Sequence, residues 1–141
     1  VRVEMWRVGV QLFSEKPLFG WGEGRLQARR DDWVAVWDLH PAVSKHDQLH
    51  SDLIDTAARR GLVGLGSLLM LYGVPLLLFA RALSGRPDAT TRALAVAGLV
   101  VVVAFIGFGL TQSMLRDARG LAGYLGMVTA CWCLLRGRES A

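Results

Sequence analysis

The sequence predicts an all-α, polytopic helical membrane chain: a polar region with amphipathic helices, followed by about three transmembrane helices. Three observations predict it. Hydrophobic residues make up 52% of the 141 residues and charged residues only 20%, with a mean hydropathy of +0.35, more apolar than an average soluble domain. Polar groups are segregated: residues 1–60 hold four of the five tryptophans, all three histidines and most of the acids. Residues 61–135 are three apolar runs separated by short arginine-bearing loops.

In residues 3–13 the apolar positions are Val3, Met5, Trp6, Val8, Val10, Leu12 and Phe13. That pattern suits a helix lying against a membrane or another helix. Pro17 with Gly20, Gly22 and Gly24 ends this helix in a turn. Residues 33–44 read as a loop with short apolar stretches. From about Ser44 a helix resumes, because Leu49, Leu53, Ile54 and Ala57 fall at helical spacing and run into the first apolar run. His46 and His50 are expected one turn apart on that helix, sharing a face.

The first run, residues 61–80, carries no charge. At about 1.5 Å per residue it matches a hydrocarbon core of roughly 30 Å. Pro75 lies inside it, which a membrane helix tolerates when neighbours satisfy the freed carbonyl. The second run, residues 93–115, is uncharged and β-branched in the middle. The third, residues 120–135, is shorter and relies on its flanks to span. Buried helices of a soluble bundle carry a polar face; these runs show none. Arg81, Arg86 and Arg92 in the first loop, with Arg136 and Arg138 in the tail 136–141, place those segments in the cytoplasm and residues 1–60 on the outer face. Arg59 and Arg60, just ahead of the first run, count against that orientation.

The net charge of +4 comes almost entirely from arginine. No basic stripe interleaved with aromatics appears, so no nucleic-acid partner is expected. Cys131 and Cys133 sit inside an apolar run without a second pair, as inert thiols. His46, Asp47 and His50 imitate H-E-x-x-H, in which two histidines grip zinc and a glutamate deprotonates its water. Asp47 is too short for that role, and none of His40, Asp52 or Asp55 has a spacing that singles it out as a third ligand. No metal and no cofactor is therefore expected, a membrane zinc protease being the lesser alternative. Arg2, Arg7, Arg25, Arg29 and Arg30 all precede the histidines. Guanidinium groups suit a diphosphate, since they offer two donors in a fixed fork and stay charged. Arg29 and Arg30 read instead as solvated surface.

Residues 2–24, RVEMWRVGVQLFSEKPLFGWGEG, resemble the R-x-x-x-W segment and proline-leucine-x-G-x-G turn of bacterial O-antigen ligases and related polysaccharide polymerases. Residues 49–65, LHSDLIDTAARRGLVGL, resemble their second signature, a histidine followed eleven residues on by G-L-x-G at the entry to a membrane helix. The resemblance puts the family histidine on His50 and the glycines on Gly61 and Gly64. Ser51 departs from the usual asparagine. It implies an all-helical bacterial inner-membrane glycosyltransferase of which this chain, starting at Val1 without methionine, is the C-terminal part: the end of a periplasmic loop plus the last spans. The implied reaction moves glycan from undecaprenyl diphosphate to lipid A-core, without a metal and with inversion at the anomeric carbon. A polymerase of the same superfamily, with a lipid-linked glycan as acceptor, is the alternative. On this resemblance His50 is the catalytic residue, orienting or deprotonating the acceptor hydroxyl or helping to hold the diphosphate; Arg2 binds the diphosphate, and Arg7 and His46 are accessory substrate contacts. A second diphosphate-binding arginine is expected outside this chain.

Overall fold

In the computed structural model, which describes residues 1–139, the apolar stripe of the N-terminal stretch forms α1 (Arg2–Glu15) and buries Met5, Val8, Gly9 and Leu12. A second helix, α2 (Glu23–Val36), covers part of the segment expected to be loop. Its buried positions, Leu26 and Arg30, are four apart, and Trp33 packs on the same core. An arginine in the middle of the buried stripe hides this helix from an apolar count. A four-residue α3 (Ala42–Lys45) follows, then α4 (Asp52–Ala82), α5 (Ala89–Thr111), a 3-10 turn (Met114–Arg116) and α6 (Ala118–Glu139). Among the described residues there is no strand. The expected tail 136–141 is helical as far as Glu139, and residues 140 and 141 lie outside the described residues.

α4, α5 and α6 are each long and apolar enough to cross a membrane. They turn Leu69, Met70, Val74, Leu77, Val100, Val103, Phe108 and Leu134 outward. That is a poor surface for water and the right one for a lipid bilayer. α5 starts four residues before its apolar run does, because Asp88 Oδ1 accepts the Thr91 N–H (3.3 Å) at its first turn. α6 extends beyond its run at both ends.

The chain divides into two units. The first comprises Val1–Leu69 and Gly109–Ser113, with a core of Met5, Val8, Leu12, Leu26, Val43, Leu49 and Ala58. The second comprises Met70–Phe108 and the residues from Met114 on, with a core of Phe79, Ala95, Val102, Tyr124 and Leu135. In the second unit the proline problem of α4 is solved by a side chain. Pro75 has no N–H for the carbonyl of Leu71, and the Tyr124 hydroxyl donates to that carbonyl at 2.8 Å.

α4 is two helices merged across a break at Gly61 (φ 62, ψ −153), a conformation open essentially to glycine. The turn 17–22 occupies the break. The N–H groups of Trp21 and Gly22 donate to the carbonyls of Ala58 and Arg59 (3.0 and 2.8 Å), which the break would leave unpaired. On the other side, the N–H groups of Leu62 and Val63 donate to the carbonyls of Pro17 and Leu18 (2.7 and 3.3 Å). A Cβ at Gly61 would run into the backbone of Leu18, and one at Gly20 into the backbone of Arg59. Both glycines are required by close approach as well as by positive φ.

Candidate functional site

The histidines sit just ahead of α4, in a loop rather than on the helix expected from Ser44. α3 stops at Lys45, His46 is extended (φ −93, ψ 126), and α4 begins only at Asp52. His50 has φ 52, which interrupts any helix there. Side chains take the place of helical hydrogen bonds. Arg30 of α2 is fully buried and donates to the carbonyls of Ser44 (2.9 Å) and His46. Arg59 of α4, also buried, donates to the carbonyl of Asp47 and to the Asp55 carboxylate (2.9 Å). The other oxygen of Asp55 accepts the Leu49 N–H at 3.1 Å. Two guanidinium groups thus clamp the backbone on either side of His46, and Asp55 fixes it just before His50. Rigid support of this kind holds reacting side chains in one geometry.

On this loop the two imidazoles meet edge to face, 5.3 Å between centroids. They do share a side, through loop geometry rather than helical spacing. His46 is exposed and His50 half-buried. His50 Nδ1 lies 3.0 Å from Oε1 of Gln112, the residue that follows α5. An amide oxygen only accepts, so in this pairing Nδ1 carries the proton and Nε2 presents its lone pair. Sequence reasoning passed over Gln112 by counting it within the second apolar run. The polar triplet Thr111–Ser113 near the end of that uncharged stretch was the available signal.

Arg2 and Arg7 lie on α1, and both are exposed. Arg7 is spoken for in part, its guanidinium 4.7 Å above the Trp37 ring. Arg2 lies seven residues from Gly9, hence on the same face of α1, about 10 Å along the axis. Gly9 is where α1 comes against the histidine segment: a Cβ there would collide with Ile54 and press on Leu49. The face that carries Arg2 is therefore the face turned toward the residues flanking His50.

The other arginines have structural work. Arg29, expected to be solvated, holds both oxygens of Glu15 (2.9 and 3.0 Å), and Trp33 Nε1 donates to the same carboxylate (2.8 Å). That guanidinium keeps the Glu15 carboxyl below the usual carboxylate range, against the opposing effect of burial. Arg30, also expected to be solvated, is the buried clamp. Its burial pushes its pKa down from the ordinary guanidinium value, and its Nε lacks a hydrogen bond, the Asp31 carboxylate standing 3.8 Å away. Asp47, the nominal general base of a zinc site, lies 3.4 Å from Arg59 Nη2 as an ion-pair partner. Among the described residues no group of three His, Cys, Asp or Glu side chains is arranged to hold a metal ion.

No family model matches the chain. It is similar to an uncharacterized protein of Haemophilus influenzae, 24% identical over 119 residues, an alignment that covers 84% of this chain and 30% of that protein. The chain therefore spans 30% of the length of the curated relative it matches.

Proposed function

We propose that this chain carries the acceptor-activating part of an O-antigen ligase-type glycosyltransferase. Such an enzyme moves glycan from undecaprenyl diphosphate to lipid A-core at the periplasmic face of a bacterial inner membrane. The observation that carries the reading is the interlock at Gly61. The two segments on which the resemblance rests, the turn 17–22 and the stretch from His50 to Gly64, exchange four backbone hydrogen bonds across the break. A shared site would need these two segments side by side, and their pairing at the break supports the reading.

The chemistry then follows from the residues. The Nε2 of His50, its tautomer set by Gln112, accepts the proton of the acceptor hydroxyl. The hydroxyl oxygen attacks the anomeric carbon from the side opposite the leaving group and forms the new C–O bond. The old bond from that carbon to the diphosphate oxygen breaks, and undecaprenyl diphosphate departs with the electron pair. Inversion is the consequence of the single displacement. Arg2 offers a guanidinium to the charge that grows on the diphosphate, and Arg7 stands on the same helix as a secondary contact. His46 packs against His50 and offers the acceptor a second polar edge beside it.

The test is complementation with the parent protein in a strain lacking its own ligase. Wild type restores glycan on lipid A-core, while His50→Ala lowers transfer by about 10² to 10⁴, the usual worth of a general base. Gln112→Ala lowers it less and shifts its pH profile, the mark of a positioning residue. Wild type that lengthens glycan on the lipid carrier and attaches none to lipid A-core overturns the ligase reading in favour of a polymerase.

A further inference from the structure

We propose that the tip of the turn, Leu18 and Phe19, is a wedge that inserts into the lipid bilayer and seats the first span at the membrane surface. The two side chains are 60% and 75% exposed although both are large and apolar. They do not belong to a loose loop. The Pro17 and Leu18 carbonyls are held by the N–H groups of Leu62 and Val63, and the Gly20 N–H donates to the Lys16 carbonyl at 3.0 Å. A fixed backbone that presents exposed leucine and phenylalanine has to cover them with something.

Their depth follows from the span. The charge-free run holds the 20 residues 61–80, about 30 Å of helix, which is the thickness of the hydrocarbon core with nothing to spare. Gly61 therefore lies at the hydrocarbon edge. Leu18 pairs with the residues just after it, so the wedge lies at the same level, beside Leu62 and Val63, themselves 51% and 56% exposed. The surroundings suit a headgroup layer. Lys16 stacks on Trp21 (4.0 Å), an amphipathic ring with a cation, and the Arg60 side chain is 60% exposed. Val3 and Val10, 75% and 59% exposed and seven residues apart, are further exposed apolar residues on α1, the helix that leads into the turn. The surface is thus continuous with the start of a membrane-crossing helix, and its occupant is lipid. The wedge stands independently of the transferase reading.

The experiment uses the full chain with Cys131→Ser and Cys133→Ser. A single cysteine at Leu18→Cys, Phe19→Cys or, as a water-facing control on α2, Gln27→Cys is labelled with an environment-sensitive fluorophore. Each is reconstituted into phosphatidylcholine–phosphatidylglycerol vesicles with iodide on both sides. Far-UV helicity equal to that of the unlabelled chain verifies folding for each variant, and the two tip positions report independently. Expected is at least about twofold quenching of the tip labels by nitroxide-bearing lipids, with iodide quenching cut about threefold relative to position 27, as for apolar residues buried below the headgroups. Iodide quenching at the tip equal to that at position 27 overturns the proposal. So does a tip shielded from iodide but untouched by nitroxide lipids and released on dilution in lipid, which would mean that a second copy covers it.

Discussion

At Gly61 the lack of a side chain lets two segments of the chain share hydrogen bonds. Its φ of 62 and ψ of −153 are strained for any other residue, and a Cβ would meet the Leu18 backbone. Gly61→Ala is expected to destabilise the first unit by about 3 kcal/mol or more, seen as a drop in thermal unfolding temperature in detergent. An alanine with wild-type stability would mean that the break is not held as described. Gly61 was legible in the sequence as a glycine of a recognisable pattern, yet its partner was not, because nothing in the spacing says that a turn some forty residues earlier fills the gap. The same holds for Arg30 and Arg59. By composition they are loop cations, and only the fold shows that they are buried, Arg30 donating to the carbonyls of Ser44 and His46, Arg59 to the Asp47 carbonyl and to the carboxylates of Asp55 and Glu23. His50 was legible as a chemical group but not in its backbone: periodicity placed it on a helix, while its φ of 52 and the arginine clamps hold it in a loop.

At the scale of elements, α4 shows how a proline is kept inside a membrane helix. That some neighbour would satisfy the freed carbonyl follows from the lack of water in a bilayer. That the neighbour is Tyr124, fully buried on α6, required the packing. Tyr124→Phe is expected to cost about 1–2 kcal/mol by leaving the Leu71 carbonyl unpaired. In the Pro75→Ala background, where the substituted residue supplies the missing N–H, the same change should cost much less. A double-mutant cycle on unfolding in detergent checks this, and additive costs would show that the hydroxyl does not serve the proline. The junction of α1 and α2 carries a pH dependence. Arg29 holds Glu15 below its ordinary value, so the pair stabilises the fold above the unfolded carboxylate range, about pH 4.3, and that contribution is lost as pH falls through the lower folded value. Wild type should therefore exceed Glu15→Gln in unfolding temperature at about pH 6, and the gap should close as the pH falls through the lowered Glu15 value; a gap unchanged by acid would assign the effect to packing alone. α2 itself was missed in part because its buried stripe runs through an arginine, which a hydrophobic pattern scores as surface.

For the whole molecule, the all-helical class and the three long apolar helices were readable from segregation alone, since uncharged runs of this length have few other uses. The ends of those helices were less readable, because capping by Asp88 and the exit of the chain at Gln112 are set by single polar groups. The exit at Gln112 has a functional side in the proposed transferase: it brings an amide to the ring of His50 from sixty-two residues away in sequence. In that transferase arginine, not a metal, takes up the charge of a departing lipid diphosphate while His50 receives the acceptor's proton. The most direct measurement is transfer by the purified parent protein from undecaprenyl diphosphate-linked glycan to lipid A-core, with and without EDTA, for wild type, Arg2→Ala and His50→Ala. Expected is product from wild type at the same rate in EDTA, and a loss of about 10² or more in each variant. Abolition of wild-type transfer by EDTA, or variants that transfer as fast as wild type, would contradict the metal-free, arginine- and histidine-dependent mechanism.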